Sequence, residues 1–193
     1  MAEIKKLAIG IGGASGVQLG LRLIESVPDS IELFVIISEG AQNVASSELS
    51  EDIEVCLDKL RRKKDFRIYN EDEIDSPLAS GSFGIDAMAI VPTSMNLLAK
   101  IASGLCDDLI SRCALVMLKE KRTLLLAPRE MPFSPISLEQ MSKLSALGVI
   151  VAPPCVGYYA KIKDLESMEL FFAGKWLDAL NIKNALYTRW KCE

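Results

Sequence analysis

Leu7-Ala-Ile-Gly-Ile11, Gly12-Gly-Ala-Ser-Gly16 and, after a helical face of Leu19, Leu21, Leu23 and Ile24, Ile31-Glu-Leu-Phe-Val-Ile-Ile37 together read as strand, glycine turn, helix, strand. The two apolar runs have the length and continuity of strands buried on both faces of a parallel sheet. Between them the apolar residues take a helical spacing, so the unit is a βαβ crossover, right-handed as such connections are. Ligands of such sheets bind beyond the carboxyl ends of the strands.

The alternation continues along the chain. Strands are expected at 87–91, 122–127 and 148–152, helices at 94–103, 107–118 and 137–146, and a last helix from about 164 to 180. The polar stretch 46–75 is expected to hold a charged helix over 51–64, followed by a loop or an edge strand. No linker, repeat or low-complexity segment interrupts the sequence. One α/β domain over residues 1–193 is therefore expected, with a doubly wound parallel sheet of Rossmann-like or flavodoxin-like type.

Composition narrows the chemistry. Half of the 193 residues are hydrophobic and 25% are charged, the balance of an ordinary globular protein. Lys and Arg number 22 against 26 Asp and Glu, and a net charge of −4 argues against a general nucleic-acid binder. There is no histidine. That excludes Ser-His-Asp and Cys-His catalytic units and imidazole zinc sites, leaving proton transfer to carboxylate, Lys, Tyr, phosphate or a cofactor. Cys56, Cys106, Cys113, Cys155 and Cys192 form no CxxC pair, and buried free thiols in a reducing cytosol are the expectation. Glycines at 10, 12, 13, 16 and 20 spoil the early apolar run as an export signal. No apolar stretch has the length of a membrane span, about 18 residues, so a cytoplasmic location is expected.

The strand-end segments 12–16, Ser38, 92–96, 128–132 and 153–159 carry the chemistry, and their clustering points to one composite site. Gly12-Gly-Ala-Ser-Gly16 can cradle a phosphate with backbone N–H groups and a helix N-terminus, or serve only as a tight strand-to-helix turn. It fits neither GxGxxG nor the lysine-bearing NTPase loop. Pro128-Arg-Glu-Met-Pro132 pins an arginine fork and a carboxylate at a strand end, where the fork can hold a phosphate in two bonds. Lys119-Glu120 supplies a mobile cation or is a solvated turn. Tyr159 offers a phenol to the site or packs the last helix. Asp107-Asp108 reads as a helix start, and no metal is expected.

In their order and spacing, Gly13-Ala-Ser-Gly16, Ile37-Ser38, Ala79-Ser-Gly-Ser-Phe83, Pro92-Thr-Ser-Met95, Ala102-Ser-Gly104, Leu118-Lys-Glu120, Pro128-Arg-Glu-Met-Pro132, Leu138-Glu139, Pro153-Pro154 and Gly157-Tyr-Tyr159 resemble the flavin prenyltransferase family, the UbiX-type enzymes. The resemblance implies a Rossmann-like enzyme that joins the dimethylallyl group of dimethylallyl phosphate to N5 and C6 of reduced FMN, without a metal. It implies that the product, prenylated FMN, serves a UbiD-type decarboxylase. It also implies a homo-oligomer, typically a dodecamer, with sites at subunit boundaries.

By position, the resemblance implies Gly13, Ala14, Ser15, Ser38, Ser94, Met95, Asn96, Leu97 and Arg129 around FMN. It implies Lys119, Arg129, Tyr159, Lys175 and Trp190 around dimethylallyl phosphate, with Trp190 closing the site from a tail, about 181–193, that packs on a neighbouring subunit. Ser15, Glu48, Lys119, Glu130 and Tyr159 form the implied catalytic set. The chemistry agrees: cations and a phenol stabilise a departing phosphate, and apolar walls such as Phe83, Met95 and Trp190 keep water from an allylic cation. The proton lost on ring closure goes to Glu48, Ser15 or the released phosphate. Gly12 stands where the family commonly has threonine, Thr93 where it has cysteine, Asn96-Leu97 where it has Lys-Thr, and Lys175 where it often has arginine.

Two other functions share the flavin. An FMN-dependent cysteine decarboxylase of the same fold uses a histidine, which this chain lacks. A non-catalytic FMN-binding protein has no use for the separate set of Lys119, Arg129, Tyr159 and Lys175.

Overall fold

The structure, a computed structural model, describes residues 3–190. Its strands are β1 (Lys6–Ile11), β2 (Glu32–Ile37), β3 (Arg67–Asn70), β4 (Ala87–Thr93), β5 (Thr123–Pro128) and β6 (Ile150–Val151). They form one sheet in the order β3-β2-β1-β4-β5-β6, and every neighbouring pair is parallel. The helices are α1 (Val17–Ser26), α2 (Glu39–Glu48), α3 (Ile53–Arg61), α4 (Met95–Ser103), α5 (Leu109–Lys119), α6 (Pro135–Ala146) and α7 (Leu165–Ala179).

The two-residue period of a strand sorts the core into two layers. Leu7, Ile9, Leu33, Val35, Ala87, Ala89 and Leu125 face α1 and α7, while Ala8, Phe34, Ile36, Met88, Ile90, Leu124 and Leu126 face α4 and α5. Both faces are covered, and for that reason the strands read as unbroken apolar runs. The expected doubly wound sheet is present, in the Rossmann order of strands.

Side-chain caps start the helices where the sequence punctuates them. Ser94, Asp108, Ser134 and Asp164 each accept a hydrogen bond from the backbone N–H three residues on, at 3.2, 2.7, 3.1 and 2.7 Å. The structure departs from expectation in three places. Helix α2 follows Ser38 directly; it buries only Ala41 and Ala45, too little to mark an apolar period. Strand β6 keeps two residues of the expected five-residue run, at the sheet edge. In the polar stretch, the edge-strand alternative is realised as β3, beyond a helix shorter than expected.

The cysteines depart too. Cys113 is buried, and burial pushes its thiol up to about 12. Cys56 and Cys106 are half-buried and Cys155 is exposed, so buried thiols describe one of the four; Cys192 lies outside the described residues. Among the described residues no helix is long and apolar enough to cross a membrane.

The chain leaves β1 towards β2 and β3, then returns to β4 on the other side of β1. The strand order reverses there, and a hydrogen bond from Gly12 N to Pro92 O, 3.0 Å, ties the two strand ends together. Such a switch point opens a crevice at the carboxyl edge of the sheet.

Candidate active site

A cleft of about 240 Å³ lies in that crevice, lined by Gly12, Gly13, Ser38, Gly40, Ser94, Asn96 and Leu97. A Cβ on Gly13 would stand 2.7 Å from Gly40 Cα, so the loop after β1 and the first turn of α2 meet backbone to backbone. Ser38 caps α2 through Ala41 N at 3.0 Å, and Ser94 caps α4. Two helix N-termini, each with a partial positive charge, therefore face one cleft, an arrangement suited to a phosphate. Drug-sized ligands occupy about 300–1,000 Å³. This cleft holds part of such a ligand and leaves the rest to the surrounding rim.

Three further charged groups, Glu71, Lys100 and Asp108, reach the cleft. Glu71 accepts from Glu39 N at 2.8 Å, and Lys100 pairs with Asp107 and Asp108 at 2.8 and 2.9 Å, which holds its ammonium above its ordinary pKa. Sequence reasoning missed Glu71 and Lys100 and read Asp108 only as a helix start. Lys100 had a signal, since it follows Asn96 by four residues on the same helix face.

The turn after β1 is occupied differently from the expected phosphate cradle. The Glu48 carboxylate accepts from Gly16 N at 2.8 Å and Val17 N at 3.2 Å, taking the first N–H groups of α1. A side chain of the same molecule fills the position that an anion would take there. Desolvation raises the Glu48 pKa, but hydrogen bonds from Ser15, Gly16 and Val17 and the charge of Arg129 outweigh it and leave it lowered. Glu48 is thus held at the start of α1, within the electrostatic reach of Arg129.

Glu48→Ala should leave those N–H groups uncapped and cost about 1 kcal/mol. For a domain of this size that is about 2–4 °C in Tm, read by thermal unfolding. The native carboxyl has the lower pKa, so its stabilisation is complete above the ordinary carboxylate range and fades as pH falls through the lowered native value. The Tm gap between variant and wild type should therefore close in acid.

Arg129 leaves the end of β5 with its N–H donated to Thr93 O at 3.2 Å. Thr93 is fully buried and ties β4 to β5, donating to Ile90 O at 2.7 Å and accepting from Ala127 N at 3.1 Å. The Arg129 Nε is buried without a hydrogen-bond partner. A buried charged donor that the protein leaves unmatched calls for an acceptor from outside the chain, a water, an ion or a ligand. Glu130 beside it is exposed and accepts from Met131 N at 3.0 Å.

A second group gathers on α7. Tyr159 packs edge-on against Phe171 at 6.0 Å and against Trp190 at 5.4 Å. Lys175 is exposed, stands 5.9 Å from the Tyr187 ring centre and lines a cavity of about 450 Å³ with Pro153, Cys155 and Trp176. Through residue 190 the segment after α7 is bonded to its own chain: Asn184 and Arg189 bond Asp178 of α7.

Lys119 is the residue the fold sets apart. It ends α5 and pairs with Glu120, which lies against Gly81. Arg122, three residues on, bonds Gly81 O and Ile85 O at 2.9 and 3.0 Å. These groups lie at the amino ends of β4 and β5, opposite the edge that carries Arg129 and the cleft. The expected convergence of Lys119 with Arg129 does not occur within one chain.

Strand order, switch-point cleft and paired helix N-termini define a nucleotide-binding protein of the doubly wound α/β class. Residues 1–171 match the sequence profile of the family described as Flavoprotein. A flavin prenyltransferase UbiX from Helicobacter pylori is 51% identical over 185 residues, covering 96% of this chain and 98% of the relative. The crystal structure of AnUbiX (PadA1) in complex with FMN and dimethylallyl pyrophosphate superposes with a TM-score of 0.90 at 32% identity, over 99% of this chain and 100% of that one. A dodecameric FMN-dependent Ubix-like decarboxylase from Escherichia coli O157:H7 gives 0.89 at 32% identity, over 97% and 100%. The chain belongs to the Flavoprotein family and, within it, to the flavin prenyltransferases.

Proposed function

We propose that this protein transfers the dimethylallyl group of dimethylallyl phosphate to N5 and C6 of reduced FMN. The observation that carries the reading is the buried, partnerless Nε of Arg129, within the electrostatic reach of Glu48. The residues present suit FMN. Ser38, Ser94 and the N-termini of α2 and α4 would hold its phosphate. Gly13 lets the loop after β1 close on Gly40 of α2, and Ala14, Met95, Asn96 and Leu97 would lie along the flat ring. When bound, reduced FMN supplies the electron-rich N5 and C6 that accept the prenyl group.

The chain's own groups do the rest. Arg129, Tyr159 and Lys175 stabilise charge on the departing phosphate, with Lys119 contributed by a second copy of the chain. Trp190 and Met95 exclude water from the allylic fragment. Ser15, next to the Gly16 N–H that the Glu48 carboxylate accepts, passes the ring proton to that carboxylate, which is ionised at neutral pH. Glu130, exposed and adjacent to Arg129 in the chain, would add a negative charge near it. No step needs histidine or a metal. The assembly is a dodecamer in the cytoplasm, and the prenylated FMN passes to a UbiD-type decarboxylase.

The test is anaerobic incubation with reduced FMN and dimethylallyl phosphate, followed by mass analysis of the extracted flavin. A flavin heavier by one dimethylallyl unit is the expected result. Unmodified flavin with turnover of a cysteinyl substrate would transfer the assignment to the cysteine decarboxylases of this fold. Unmodified flavin with no turnover would leave a flavin carrier.

A further inference from the structure

We propose that Asp178 is a positioning residue for the prenyl donor: it clamps the C-terminal segment onto α7 so that Trp190 lies against Tyr159 and Tyr187 lies beside Lys175. The inference rests on the assignment of Tyr159 and Lys175 to the donor phosphate.

The Asp178 carboxylate is saturated. It accepts from the Tyr187 hydroxyl at 2.6 Å, from both terminal nitrogens of Arg189 at 2.7 Å, and from Asn184 Nδ2 at 2.8 Å. The Arg189 contact is the two-bond fork that fixes direction as well as distance. All three donors lie on the segment after α7, and Asp178 follows Lys175 by three residues, on the same side of the helix.

The helix is shaped to receive this segment. A Cβ on Gly174 would stand 2.5 Å from Tyr187 Cδ1 and 3.0 Å from Asn184 Oδ1. The tyrosine ring therefore rests on bare helix backbone, and Asn184 Nδ2 donates to Gly174 O at 3.1 Å. From that seat the ring meets the Lys175 ammonium at 5.9 Å, and Trp190 meets Tyr159 edge-on at 5.4 Å. A segment fastened only to tidy a chain end has no reason to finish against two donor-binding groups. Freed from Asp178, Lys175 and Tyr159 each lose the aromatic neighbour that restricts them, and the ordering of these side chains is then charged to donor binding.

The test is Asp178→Asn, with Arg189→Gln as a second variant that alters only the exposed segment. Prenyl transfer is followed with dimethylallyl monophosphate, FMN binding by flavin fluorescence, and residues 184–190 by hydrogen exchange. Expected are faster exchange in the segment, a KM for the monophosphate raised about tenfold, the equivalent of one charge-assisted hydrogen bond, and an FMN Kd unchanged. Tyr187→Phe, which keeps the ring and loses one bond, should show a smaller rise. A monophosphate KM equal to wild type in both variants despite faster exchange overturns the proposal, as does a parallel rise in KM and FMN Kd. Wild-type protein that transfers no prenyl group overturns the functional reading itself, and this inference with it.

Discussion

Arg129→Met should lower kcat/KM for prenyl transfer by about a hundredfold to a thousandfold, the loss seen when one preorganised donor to a developing charge is removed. Thr93 holds the start of the Arg129 loop at the end of β5: Arg129 donates its backbone N–H to Thr93 O, a contact that the substitution leaves in place. What disappears is the buried Nε, which has no protein acceptor, and the positive charge that lowers the Glu48 pKa. Two readouts separate these losses. Arg129→Lys restores a charge near Glu48 but not the fork, so it should recover the pH profile and little of the rate. Thermal unfolding should move by only a few degrees, since no structural hydrogen bond to the guanidinium is broken. Wild-type kcat/KM in Arg129→Met would remove Arg129 from the site.

Much of this was legible in the sequence. The strands were, because a parallel sheet buries both faces and writes continuous apolar runs such as Ile31 to Ile37. The helix starts at Ser94, Asp108 and Asp164 were, because a capping side chain is a local device. Ser38, Ser94 and Arg129 followed from the rule that ligands lie beyond strand carboxyl ends. Helix α2 was not legible, because a helix buried on two alanines has no apolar stripe. With α2 unseen, the capping of Gly16 by Glu48, 32 residues away in sequence, could not be read either. Nor could the Asp178 clamp, which depends on the path of an irregular segment. Lys119 is different: it precedes β5 while Arg129 follows it, so the direction of the strand already put them at opposite edges.

Lys119→Ala and Arg129→Ala subunits, each without prenyl transfer alone, should regain it when assembled together. Strand β5 has six residues, and at about 3.3 Å per residue its ends lie about 20 Å apart. No rotamer of Lys119 crosses that distance along the sheet, so a Lys119 that acts on the donor must act in another copy's site. In a closed homo-oligomer each such site draws Lys119 from one subunit and Arg129 from its neighbour. Random assembly of equal amounts then leaves about one site in four with both side chains intact. Co-assembly from differently tagged subunits, purified through both tags, should therefore give roughly a quarter of wild-type kcat with unchanged KM at the intact sites. Normal turnover by Lys119→Ala alone would remove Lys119 from the chemistry. A mixed assembly as inactive as its parents would mean that both residues serve the same chain's site, and the placement of Lys119 at the amino edge of the sheet would then have to change on binding.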